Sequence, residues 1–166
     1  MSMNLYYLDT SALVKYYFTE PGSKWIKNLI DDQDTITRSR HHLIVIASAS
    51  ITEIAAALAI LQRRGFLSKR QFHTEYNRFL NDLVSRIIVI DVIGHDLYQA
   101  AELCQIYPLK AYDALQLAVA LRFADVVAKS HQSLVFVSGD NTLLKAAATR
   151  LTTDNPFNHV DETDMH

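Results

Sequence analysis

The 166-residue chain is about one domain long, and 49% hydrophobic with 20% charged residues is the mix of a packed globular unit, not a disordered one. Its 16 Lys and Arg against 18 Asp and Glu leave a formal charge of −2, so a nucleic-acid partner would have to be met by a local patch. A single cysteine, Cys104, excludes an internal disulfide framework and cysteine-clustered metal sites, which fits a reducing compartment. Asp9 arrives before an apolar signal segment could be completed, and a cytoplasmic location is expected.

In chain order, the apolar run 5–8 predicts a first strand, closed by Asp9 and followed by helices over 11–18 and 22–32. Residues 43–47 are a second strand. From 43 to 61 the chain is nearly all apolar and almost long enough to cross a bilayer, but Glu53 sits in its middle with Ser48, Ser50 and Thr52 close by. A carboxylate at a bilayer centre costs a few kcal/mol or more, so a strand followed by a helix over 50–64 is the better reading, and no membrane span is expected. A helix over 68–85, a strand over 87–91 and helices over 95–106 and 111–124 come next. A strand over 134–138, a helix over 141–148, a short final strand near His159 and an acidic tail over 161–166 complete the chain. No linker or repeat divides it, which predicts one domain over 1–160. Alternating strands and helices with continuous apolar strands predict a parallel sheet covered on both faces, whose ligands gather at the carboxyl ends of the strands.

Familiar motifs are missing. The four glycines form neither G-x-G-x-x-G nor a phosphate-binding loop, and there is no G-x-S-x-G or H-E-x-x-H. The seven histidines are scattered, and adjacent His41 and His42 are expected to point apart.

What remains is a set of acids. Asp9 and Asp140 each follow a strand, where either could serve as a helix cap. Asp113 falls in the first turn of a very apolar helix, where the helix dipole also favours an acid. Glu53 is harder to explain structurally, because its helical neighbours Ala49, Ser50, Ala56 and Ala57 include no basic partner. Three of these acids follow strands of one parallel sheet, and Asp113 can join them from its helix start. Clustered carboxylates without bases repel one another, and a hard divalent cation such as Mg²⁺ or Mn²⁺ is the usual remedy. Such an ion can activate water near neutral pH and stabilise charge on a phosphodiester, so nucleic-acid hydrolysis is the expected reaction class.

Tyr7-Leu8-Asp9-Thr10-Ser11-Ala12-Leu13-Val14-Lys15, Thr52-Glu53-Ile54, Leu109-Lys110-Ala111-Tyr112-Asp113-Ala114-Leu115-Gln116-Leu117-Ala118 and Phe136-Val137-Ser138-Gly139-Asp140 resemble, in order, the motifs of PIN-domain proteins, most closely the VapC-like toxins. The resemblance spans essentially the whole chain. It implies a three-layer α/β/α domain with a central parallel sheet and a Mg²⁺- or Mn²⁺-dependent ribonuclease. By position it makes Asp9, Glu53, Asp113 and Asp140 the acidic metal-binding quartet. Thr10, Ser11 and Ser138 become polar supports, with Asn141 assisting. It also implies a homodimer silenced by a small antitoxin.

Between residues 35 and 74 lie Arg38, Arg40, Arg63, Arg64, Lys69 and Arg70 against a single acid, Glu53, a local positive excess suited to RNA phosphates. Lys110 is a further candidate. The same charges also suit solvated helix ends. Tyr6, Tyr7, Tyr16, Tyr17 and Phe18 could stack on bases, although most of them suit a core better. Two rivals are an inactive PIN-like domain that binds RNA or an antitoxin without cutting, and a D-x-D-x-T phosphatase. The second lacks its second aspartate, because Ser11 stands there.

Overall fold

The computed structural model describes residues 4–37 and 39–160; Arg38 and the acidic tail lie outside them. The elements run β1 (Asn4–Leu8), α1 (Thr10–Tyr17), α2 (Ser23–Asp31), β2 (His42–Ala47), α3 (Ala49–Arg63), α4 (Lys69–Ser85) and β3 (Ile87–Ile90). They continue with α5 (Gly94–Ile106), α6 (Ala111–Ala128), β4 (Leu134–Val137), α7 (Asn141–Ala147), β5 (Thr152–Asp154) and a 3₁₀ turn, Pro156–His159. The expected helices and first four strands are present, with most ends moved by a residue and α6 extended by four.

All pairings are parallel, in the order β3-β2-β1-β4-β5. Strand alternation divides two cores. Leu8, Ile44, Ile46 and Val137 face α1 to α4 on one side, while Leu5, Tyr7, Val45, Leu134 and Phe136 face α6 and α7 on the other. Both faces are therefore covered, giving the three-layer α/β/α arrangement. Tyr7, Tyr16 and Tyr17 are core residues. Among the described residues no helix is long and apolar enough to cross a membrane.

The chain builds outward from β1 to β3 and then crosses back to place β4 on the other side of β1. The crevice between β1 and β4 is thus the point where the strand order reverses, the place where parallel sheets of this kind bind ligands. The β1–β4 ladder also continues one residue further, the Asp9 amide donating to the Val137 carbonyl at 3.1 Å.

Two expectations are corrected. The final strand lies at Thr152–Asp154, not near His159, which ends the 3₁₀ turn instead. Pro156 has no N–H to give a ladder, and the Asn155 side chain accepts from the Phe157 amide and turns the chain. His41 and His42 converge rather than diverge: His41 Nδ1 and His42 Nε2 lie 2.8 and 3.1 Å from the two carboxylate oxygens of Asp32. The alternation rule fails because His41 precedes the first residue of β2.

Candidate active site

Asp9 leaves the end of β1 and caps α1. Its Oδ1 accepts from the Ala12 amide at 2.9 Å and from Ser11 Oγ at 2.8 Å, and its Oδ2 accepts from Ser138 Oγ at 2.7 Å. Ser138 in turn accepts from the Asp140 amide, and Ser11 from the Gly139 amide. Two hydroxyls therefore tie the ends of β1 and β4 together. Asp140 caps α7 through Oδ1, which accepts from Thr142 and Leu143 amides. The capping and acidic-cluster readings are thus both satisfied by the same residues, since a carboxylate has lone pairs enough for each.

Glu53, on the second turn of α3, accepts from Thr10 Oγ1 at 2.9 Å and from Gln116 Nε2. Neutral donors, not a cation, hold it. Gln116 is 1% exposed; its Oε1 accepts from the Tyr7 hydroxyl at 2.7 Å, and its Nε2 also donates to Ser50. This hub joins β1, α1, α3 and α6. Sequence reasoning quoted Gln116 inside its motif without giving it a role. The signal was there, a lone amide in the apolar run Ala114-Leu115-Gln116-Leu117-Ala118, which a buried helix accepts only when the amide is fully hydrogen-bonded.

Burial pushes the Asp9 carboxyl up to about 6, against the pull of its hydrogen bonds, and Asp113 adds repulsion. Asp113 is also raised, first by burial and then by Asp140, with Lys110 opposing. Asp113 is therefore within electrostatic reach of both Asp9 and Asp140. Among the described residues no three His, Cys, Asp or Glu side chains stand close enough to cage a metal ion by themselves.

The basic candidates fall in three places. Lys110 caps α6 beside Asp113. Arg40 precedes β2, at the opposite edge of the sheet, and donates to the Ile30 carbonyl. Arg63 and Arg64 end α3, about 15 Å along its axis from Glu53 at 1.5 Å per residue, and Lys69 and Arg70 open α4.

The profile of the PIN domain family matches residues 6–162. The chain belongs to the PIN domain family. This PIN domain is similar in structure to VapBC2 from Rickettsia felis, solved bound to a promoter DNA fragment, with a TM-score of 0.57 and 18% identity over 91% of this chain and 98% of that one. FitAcB from Neisseria gonorrhoeae gives 0.56 and 18% over 92% and 98%. VapC20 of Mycobacterium tuberculosis, described as a sarcin-ricin loop cleaving toxin, gives 0.56 and 15% over 89% and 96%. At these identities the likeness is one of fold. A search of curated protein sequences finds no match.

Proposed function

We propose that this PIN domain is a divalent-metal-dependent endoribonuclease, the toxin of a toxin–antitoxin pair, with Asp9, Glu53, Asp113 and Asp140 at its active site. The supporting observation is that Asp9 ends β1 and Asp140 follows β4, two strands that pair at the reversal point of the sheet, and that Asp113 lies within electrostatic reach of both. Their donor set is all hard oxygen, the kind that suits Mg²⁺ or Mn²⁺ with waters completing the shell. When bound, such an ion would stabilise charge on a phosphoryl oxygen and lower the pKa of water.

The chain's own residues do the rest. Ser11 and Ser138 hold Asp9 in place, Thr10 and Gln116 fix Glu53, and the α7 cap orients Asp140 beside Asn141. Lys110 is placed to meet a phosphate next to Asp113. Arg40, Arg63, Arg64, Lys69 and Arg70, with Arg38, would act further along an RNA strand. A toxin that cleaves the sarcin-ricin loop and a toxin–antitoxin complex from Klebsiella pneumoniae, both similar in fold, support RNA as substrate and an antitoxin as partner. An antitoxin arginine reaching the acids would neutralise them and displace the ion. All four acids of the family pattern are present in the chain, which favours this reading over an inactive binding domain.

Purified protein freed of any inhibitor should cut single-stranded RNA with Mg²⁺ or Mn²⁺ and stop with chelator. Asp113→Asn should lower the rate by at least about a hundredfold, the scale on which removing one electrostatic group costs catalysis, with an unchanged circular dichroism spectrum. Cleavage indifferent to chelator would overturn the proposal.

A further inference from the structure

Beside the acids lies an open cleft of about 520 Å³, bounded by Ser11, Lys15, Glu20, Asp140, Asn141 and Phe157. Phe157 has no place in the chemistry above. Its ring is 47% exposed although the turn that carries it is firmly held. Asn155, itself 6% exposed, accepts from the Phe157 amide at 2.9 Å and donates to Asn141 Oδ1 at 3.0 Å, so the turn is tied to the first residue of α7. Pro156 packs over Gly22, where a Cβ would come within 2.9 Å of the proline. A Cβ on Gly139 would stand 3.3 Å from both Phe157 Cε2 and Ser11 Oγ, so the bare glycine lets the ring close over the turn that carries Asp140.

One face of the ring is already covered. Lys15 Nζ sits 4.2 Å from its centroid, and that ammonium is buried and paired with Glu20 at 2.7 Å. The cleft therefore offers an aromatic surface, the Asn141 amide and the Asp140 carboxylate, while its lysine is already committed. A phosphate would be repelled by Asp140. A flat, uncharged group with a hydrogen-bonding edge fits.

We propose that the cleft between Phe157 and Asn141 is a binding subsite for one unpaired nucleobase of an RNA strand lying across the acids, the base stacking on Phe157. This rests on the ribonuclease reading and names the part of the substrate next to the cut. Stacking on an aromatic ring tolerates any base, so the subsite favours unpaired RNA over duplex without fixing a sequence.

The test uses the full chain carrying Asp113→Asn, so that RNA is not consumed, and a fluorescent single-stranded RNA octamer in Mg²⁺, read by anisotropy. Adding Phe157→Leu, which keeps an apolar side chain, should weaken binding about tenfold, within the range for one stacked base. Phe157→Trp should bind as well as the parent or better. An octamer with one abasic position at the subsite should lose the same factor on the parent and nothing more on the Phe157→Leu variant. Equal melting temperatures show that the leucine variant is folded. Unchanged affinity in that variant, or losses from leucine and the abasic site that simply multiply, would overturn the inference. So would a leucine effect confined to binding a co-expressed protein partner. If the protein with Asp113 intact still cuts RNA while Phe157→Leu changes nothing, the subsite alone falls. If that protein neither cuts nor binds RNA, the ribonuclease reading falls with it.

Discussion

Asp9 is 4% exposed, and burial raises its carboxyl to about 6, so the folded, metal-free protein favours its neutral form. With the folded pKa above the unfolded value of 3.8, the stability it confers is complete below about pH 4 and is lost as pH rises through 6. A shift of that size corresponds to roughly 3 kcal/mol at 1.36 kcal/mol per unit. Chelated parent should therefore lose stability relative to Asp9→Asn between pH 4 and 7, as read by thermal melts of both across that range. Parallel curves would show that Asp9 does not titrate there. Asp113 allows a second measurement. Its carboxyl is raised by burial and by Asp140, so Asp113→Asn should leave chelated protein as stable as the parent or more stable. The same substitution should shrink the thermal shift given by Mn²⁺, a stabilisation of about 2.7 kcal/mol at a hundred times the dissociation constant. A parent whose melting temperature ignores Mn²⁺ would remove the metal site.

At the scale of elements, α6 matters most. Ala114, Leu117, Ala118, Val119, Ala120 and Leu121 are all buried, so this helix touches neighbours on nearly every side. Two of its buried or half-buried polar side chains are satisfied within the fold: Gln116 by Tyr7, Ser50 and Glu53, and Arg122 by Asp96 at 2.7 Å and the Asp91 carbonyl. Gln116→Leu leaves the Tyr7 hydroxyl without its partner and, among the described residues, Glu53 held by Thr10 alone. Urea unfolding should show a loss of about 1–3 kcal/mol, the penalty for a stranded buried polar group. Tyr7→Phe in that background should cost little more, because its hydroxyl partner is already gone. Additive losses would mean that the two residues do not act as one network.

At the scale of the molecule, α5 and α6 expose Leu97, Tyr98, Ile106 and Tyr112 at 57%, 77%, 69% and 54%. Such exposed apolar side chains would suit an association face, as the homodimer expected from the family motifs needs. Sedimentation of the purified protein should give twice 18.8 kDa, and Tyr98→Glu should return it to the monomer mass. Co-expression with a neighbouring small reading frame should give a heteromer. A monodisperse monomer under both conditions would contradict the association proposed here.

The helices, the first four strands and the family motifs were legible in the sequence, because apolar periodicity, caps and acid spacing are local properties. It carried Asp9 and Asp140 to the ends of strands that pair directly, and it marked Glu53 as an acid without a nearby base. Only the tertiary structure decided what those acids meet. Gln116 reaches Glu53 across 63 residues and Ser138 reaches Asp9 across 129, contacts that no local pattern encodes. The basic residues that crowd one stretch of sequence fall on different elements, Arg40 before β2, Arg63 and Arg64 at the end of α3, and Lys69 and Arg70 at the start of α4. Asp32 gathers two histidines that strand alternation would have set apart, and Pro156 moves the last strand back to Thr152. In each case local geometry sets the element, while the contact made by its side chain depends on which distant segment the sheet order brings alongside.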